Sequence, residues 1–216
     1  MAATKGGSWD RLLDAAEHVF AAKGYDAATT REIASRSGDT LGTLSYHFKS
    51  KDTLLEEVLK RRLDGLNDER RSLYESFAAR RNGQAPDLEE VITSISLPLL
   101  RLALTGGAAW SNYLTVLCRT MFAAGGDQAA MFAKLLDPVG IEFLGWLKAA
   151  CPPSTHVSAA YAYQFIIGTT LDAVVQGSGD RLSRISGGAA SARDFDAVSE
   201  RLVPFLVAGV RAIVAI

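Results

Sequence analysis

TTREIASRSGDTLGTLSYHFKSK, residues 29–51, packs four helix-punctuation signals into 23 residues. Thr29 and Glu32 have the spacing of a capping box, so a helix is expected to begin beside them. Gly38 stops that helix after about two turns. Thr40 or Asp39 can cap a second short helix running through His47, and Ser50 can cap a third that opens at Lys51. Two short helices joined around a glycine make a helix-turn-helix, which lays its second helix in the DNA major groove while the first touches the backbone.

The flanks extend the helical pattern. In Ser8–Lys23, Leu12, Leu13, Ala16, Val19 and Phe20 recur at i, i+3/i+4 spacing, and Gly24 supplies a stop. From Lys51 to Arg80 the only Gly or Pro is Gly65, so one long helix is expected. Loops are expected at Asn82–Pro86, Thr105-Gly106-Gly107, Gly125-Gly126 and Cys151-Pro152-Pro153, with a long Gly/Ser-rich connection over Gly177–Ala190. Pro98, Pro138 and Pro204 fall inside apolar helical segments and predict kinks or breaks. Ala162–Val175 holds β-branched runs, but no clean alternating strand and no solenoid-length repeat is present. The expected class is all-α: an N-terminal three-helix head over 8–50, and a C-terminal helical domain over 51–216.

Composition narrows the function. The chain has 216 residues, 48% of them hydrophobic, and a formal net charge of −1. At this length about 70% of the unfolded surface can be buried, enough for a substantial core. The charge total excludes a strongly basic nucleic-acid binder, so any DNA contact must rest on where charge is placed. Two cysteines, Cys118 and Cys151, are too few for a disulfide framework, and a reduced, cytoplasmic protein is expected. No apolar run opens the chain and none is long enough to cross a membrane.

Within residues 29–51 the side chains suit DNA. Thr29 and Thr30 stand at a helix N-terminus, where free N–H groups favour a phosphate oxygen, and Arg31 follows. Thr40, Thr43, Ser45 and Tyr46 bring hydroxyls to the second helix, able to reach base edges or phosphates. Lys51 opens the next helix at another N-terminus. His47 could be read as a base or metal ligand, but His18 and His156 have no ligand spacing with it, which favours a packed or phosphate-facing ring. The basic run from Lys60-Arg61-Arg62 to Arg70-Arg71 alternates with acids and reads as a solvated face. Both cysteines read as small apolar groups, with redox sensing the lesser alternative.

These residues make the chain resemble the TetR family of bacterial transcriptional repressors. The likeness covers about residues 9–60: A-A-x-x-x-F-A-x-x-G-Y from Ala15 to Tyr25, T-T-x-x-I-A from Thr29, and G-T-L-x-Y-H-F-K-S-K from Gly42. The resemblance implies a homodimer on a palindromic operator, released by a small molecule bound in the C-terminal domain. It further implies base or groove contact from Arg31, Thr40, Leu41 and Thr43, and backbone contact at or near Thr30, Tyr46, His47 and Lys51. Thr29, Ser45 and Lys49 complete the expected DNA-binding set. Two positions depart from the family: Asp39 stands where an apolar residue is usual, and Ser45 where an aromatic phosphate contact is common. A carboxylate at Asp39 must cap the helix, or accept from a cytosine amino group, to avoid repelling phosphate.

The C-terminal half is rich in aromatics. Phe77, Trp110, Tyr113, Leu117, Met121, Phe143, Phe165, Thr169 and Asp172 are the expected effector-lining residues, since ligand sites are apolar with a few polar groups. Asp172 and Gln176 interrupt an apolar helix; Asp172 is expected either to pair with Arg119, Arg101 or the ligand, or to lie at the surface. The dimer interface is expected from the last two long helices; in the final one Phe195, Val198, Leu202, Phe205, Leu206, Gly209 and Ile213 form the expected stripe, with Val203, Val207 and Val210 on a second face. No catalytic dyad, metal-ligand spacing or phosphate loop occurs, so no enzyme, cofactor or metal is expected. The alternative is a helical carrier or enzyme that does not bind DNA.

Overall fold

Residues 7–122, 127–152 and 154–214 are described by a computed structural model, and every regular element among them is a helix. In chain order these are α1 (Ser8–Lys23), α2 (Thr30–Ser37), α3 (Leu41–His47), α4 (Lys51–Arg80), α5 (Leu88–Thr105), α6 (Gly107–Phe122), α7 (Asp127–Ala150), α8 (His156–Gly179), α9 (Arg181–Ile185) and α10 (Phe195–Val214). The punctuation in the sequence sets most of these bounds. Gly24 and Gly38 close α1 and α2, and Gly38 takes the left-handed conformation (φ 75°) that glycine adopts without strain. Asp87 and Glu90 form a reciprocal capping box on α5. The expected Gly125-Gly126 loop lies outside the described residues.

One expectation is narrowed and one is corrected. Pro98, Pro138 and Pro204 do not break α5, α7 or α10, which run through them. An interior proline costs about 3 kcal/mol or more. At Pro98 the flanking Ile92, Ile95, Leu99 and Leu100 are all buried, and each such side chain contributes about 1.5–3 kcal/mol, so holding the helix together wins. Nor is Gly177–Ala190 one long connection. α8 continues to Gly179, and Asp180 starts α9 by accepting from Ser183 N while also accepting from Ser191 Oγ and Ala192 N. The β-branched run of Ala162–Val175 is helical.

The chain forms two compact units. The first comprises Met1–Asp64 and Ala108–Leu135, so the head includes the start of α4 together with α6 and the start of α7. Its core is Leu12, Leu13, Val19 and Phe20 of α1, Ile33 of α2, Leu44 of α3, Leu54, Leu55 and Val58 of α4, and Tyr113 and Val116 of α6. The second comprises Gly65–Gly107 and Leu136–Ile216. There α5, α8 and α10 pack on one another, with a buried Thr170–Ser96 hydrogen bond (3.0 Å) joining α8 to α5.

The basic run of α4 is not the solvated face expected. Arg61 and Arg62 clamp Glu17 of α1, and Arg71 holds Glu142 of α7. Arg70 is buried, donating to Ile95 O (2.9 Å) and Asn67 Oδ1 (3.1 Å) beside the Phe143 ring. A guanidinium on a long apolar stem can cross from surface to core, and residue type alone does not say which of them do so.

Candidate nucleic-acid interface

The helix-turn-helix is built from short-range bonds. Thr29 Oγ1 accepts from Glu32 N (3.2 Å), forming half of the expected box, while Glu32 itself pairs with Lys23. Thr40, and not Asp39, caps α3: its Oγ1 accepts from Thr43 N (3.1 Å) and lies 2.9 Å from Thr43 Oγ1. Leu44 is the one fully buried residue of α3, with Thr43 and His47 half-buried and the other side chains turned from the core. Thr29, Arg31, Thr40, Leu41, Ser45, Tyr46 and Lys49 are exposed, Tyr46 at 85%, while Thr30 and Thr43 are half-buried. These hydroxyls and cations are the donors that phosphate and base edges require.

Two expected contacts are engaged within the protein. His47 is a packed ring: Nε2 lies 3.2 Å from Ser8 Oγ, and Trp9 meets it edge-on at 5.6 Å. The Lys51 ammonium donates to Tyr25 O (2.9 Å) and Ala28 O (3.2 Å) and sits over the Tyr25 ring. An ammonium has three protons, so one remains for a phosphate. Ser50 caps α4 through Thr53 N (3.0 Å).

Asp39 resolves its own departure from the pattern. Its carboxylate turns inward, its side chain 9% exposed, and Oδ1 accepts from Arg11 Nη2 at 2.8 Å. The Arg11 guanidinium holds the carboxyl below the usual aspartate range. Arg11 was not among the expected site residues, because the pairing spans 28 residues and no local spacing announces it.

The effector candidates divide between the units. Trp110, Tyr113, Leu117 and Met121 belong to α6 in the first, where Trp110 meets the buried Tyr113 edge-on at 5.4 Å and Arg62 lies over the Trp110 ring. Phe77, Phe143, Phe165, Thr169 and Asp172 belong to the second. Phe143 is buried against Trp146, which stacks on Tyr74 at 4.2 Å. Phe165 and Asp172 face outward from α8, and Arg101 and Arg119 are bonded instead to Glu69 and to α1 carbonyls. The side chain of Gln176 lies outside the described residues. Burial pushes the Cys118 and Cys151 thiols up, which suits unreactive packing.

The dimer stripe also divides. Leu202 and Leu206 are buried within the second unit with Val203, Val207 and Val210, so they are core and not an outer face. Phe205 and Gly209 are exposed, while Phe195, Val198 and Ile213 are intermediate. Beside α10, α8 carries an outward stripe that periodicity did not reveal: Val157, Tyr161, Phe165 and Val175 are each about half exposed or more. Among the described residues no group of His, Cys, Asp and Glu could hold a metal, and no helix is long and apolar enough to cross a membrane.

Comparison with known proteins adds the following. Residues 12–58 match the family model described as bacterial regulatory proteins, tetR family, and residues 94–209 match the tetracyclin repressor-like C-terminal domain. The HTH-type transcriptional repressor KstR2 of Mycolicibacterium smegmatis is 47% identical over 57 residues, 26% of this chain and 28% of that protein. The chain thus aligns with little more than a quarter of that relative. The fatty acid degradation regulator FadR of Bacillus halodurans superposes with a TM-score of 0.70 at 19% identity, over 93% of this chain and 98% of that one. KstR2 of Mycobacterium tuberculosis superposes at 0.66 and 19% identity, over 96% and 97%. At these identities the superpositions speak to the fold.

Proposed function

The chain belongs to the TetR family of bacterial regulators, and from that premise we propose that it represses transcription as a homodimer on a palindromic operator. The observation that carries the reading is α3, a seven-residue helix with Leu44 alone buried and its hydroxyls, Tyr46 and Leu41 left outside the core. Arg31, Thr40, Leu41 and Thr43 read bases or the groove. Thr29, Thr30, Ser45, Tyr46 and Lys49 hold phosphates, with the spare proton of Lys51. His47 supports α3 from within.

The homodimer face runs along the outward stripe of α8 and Phe205 of α10. Exposed apolar side chains in a continuous patch mark an association surface, and a twofold pair would cover both copies of it. Phe165, and Asp172 on the same face, therefore go to the dimer. The effector is a small, largely apolar or aromatic molecule, with Trp110, Tyr113, Leu117 and Met121 as its candidate lining within the first unit and Phe77, Phe143 and Thr169 as a separate candidate group within the second. Binding of that effector favours a state in which the two heads no longer match the operator.

The test is selection of duplexes by the purified protein from a random library, followed by footprinting at two salt concentrations. A palindromic consensus with strongly salt-dependent affinity is the expected result; log K falls by about 0.9 per phosphate contact per log unit of salt. Failure to enrich any sequence, with no salt dependence on random DNA, would leave a carrier or enzyme.

A further inference from the structure

We propose that α1 is the lever that sets the recognition helix, with Arg119 of α6 holding its far end and the Arg11–Asp39 pair its near end as positioning residues. The inference rests on the DNA-regulator reading. The route begins at α6, within the same unit as α1 and α3.

The first turn of α1 grips α3 at both ends. Arg11 binds Asp39, two residues before α3 begins. Ser8 and Trp9 hold His47, the last residue of α3, and Trp9 packs on Phe48 just beyond it at 4.4 Å. A helix fixed at both ends by one turn of another cannot change its angle without that turn. The middle of α1 is equally bound: the buried Glu17 receives Arg62 Nε (2.8 Å) and Nη2 (3.0 Å) and Arg61 Nη2 (3.2 Å).

The other end meets α6. The last carbonyls of a helix have no donor within the helix. Arg119 Nη1 supplies one to Ala21 O (2.8 Å) and approaches Phe20 O (3.4 Å). A cation there is also favoured by the helix dipole. A second contact reinforces it, because Arg62, which holds Glu17, lies 5.4 Å from the Trp110 ring of α6. Movement of α6 therefore enters α1 at Ala21 and at Glu17, and leaves it at Arg11 and Ser8 onto α3. The sixteen residues of α1 span about 24 Å at 1.5 Å each, a rigid rod that is long for a direct contact and short for a lever.

A double-mutant cycle on the selected operator duplex tests the route. Arg119→Met should weaken operator binding by about fivefold or more in the native background, the lower range of an allosteric coupling. With Arg11→Met already present α3 keeps only the grip of Ser8 and Trp9 on its His47 end, and adding Arg119→Met should change affinity by a clearly smaller factor than in the native background. Random-duplex affinity should stay level across the cycle, which loss of folding would not allow. Arg119→Lys, still a cation beside the carbonyls, should restore operator affinity. Equal fold-changes in both backgrounds, no effect of Arg119→Met at all, or a Lys variant as weak as the Met variant would each overturn the lever. If the native protein selects no duplex, the regulator reading fails first and separately.

Discussion

At the scale of single residues, neighbours one position apart in a helix point about 100° apart, and Phe205 and Leu206 show the consequence. Phe205 is 66% exposed and Leu206 is 4% exposed. Leu206→Glu should therefore destabilise the second unit by at least about 3 kcal/mol, from lost burial and a desolvated charge, read as a lowered melting temperature. Phe205→Glu should keep the helix content and halve the mass in sedimentation. A dimer that survives Phe205→Glu would move the interface elsewhere. The apolar period of α10 was legible in the sequence, but which face turns inward was not. Several faces of α10 are apolar, and the choice is made by α5 and α8, far away in the chain.

Asp39 and Lys51 tell a similar story. Both were singled out from local spacing, and both are occupied by partners more than twenty residues away. Because the folded carboxyl of Asp39 titrates below its unfolded value, its pairing stabilises the protein above about pH 4 and is lost as pH falls through the lower folded value. Asp39→Asn should melt below the native protein at pH 7, and the gap should close as the medium is acidified below about pH 4. Lys51→Ala should lower stability by about 1–3 kcal/mol, because two carbonyls lose a charged donor, and should also flatten the salt slope on DNA. Arg31→Ala, at an exposed side chain, should instead cost about 1–3 kcal/mol on the operator at one base position and little on random duplex. A uniform loss across single-base operator variants would make Arg31 a backbone contact.

At the scale of elements, the sequence was most legible where one residue acts on its own backbone. Gly24, Gly38, Thr40 and Ser50 act within three or four positions, and the bounds of α1 to α4 follow from them. Prolines misled where burial across the unit outweighs a local defect, as at Pro98, and the glycines from Gly177 onward do not stop α8 before Gly179. The caps therefore carry a local prediction. Thr40→Ala removes the acceptor for Thr43 N and should cost about 1 kcal/mol. Hydrogen exchange should speed up over residues 41–47 and little elsewhere. Uniform acceleration through the first unit would mean that α3 does not open as a separate element.

At the scale of the whole molecule, the division near residue 64 falls inside α4, which runs through it without a break, and its one mark in the sequence is Gly65, the single glycine of that helix. In the proposed homodimer, operator recognition is likewise a property of two copies, since half-sites about 34–36 Å apart, or a multiple of that, need two heads held together. Once one head is bound, the second meets its half-site as an intramolecular event, an advantage of about 10²–10⁴ when the geometry allows both. The variant that halves the mass isolates that advantage. Phe205→Glu leaves every DNA-facing residue in place, so it should bind a single half-site duplex as well as the native protein does. On the full palindrome it should lose the dimer's gain. Inserting about five base pairs between half-sites rotates one of them by half a helical turn, given about 10–10.5 base pairs per turn. That insertion should weaken the native protein by the same factor and leave the variant unchanged. Equal sensitivity of both proteins to the insertion would mean that the heads are not joined through the face that carries Phe205.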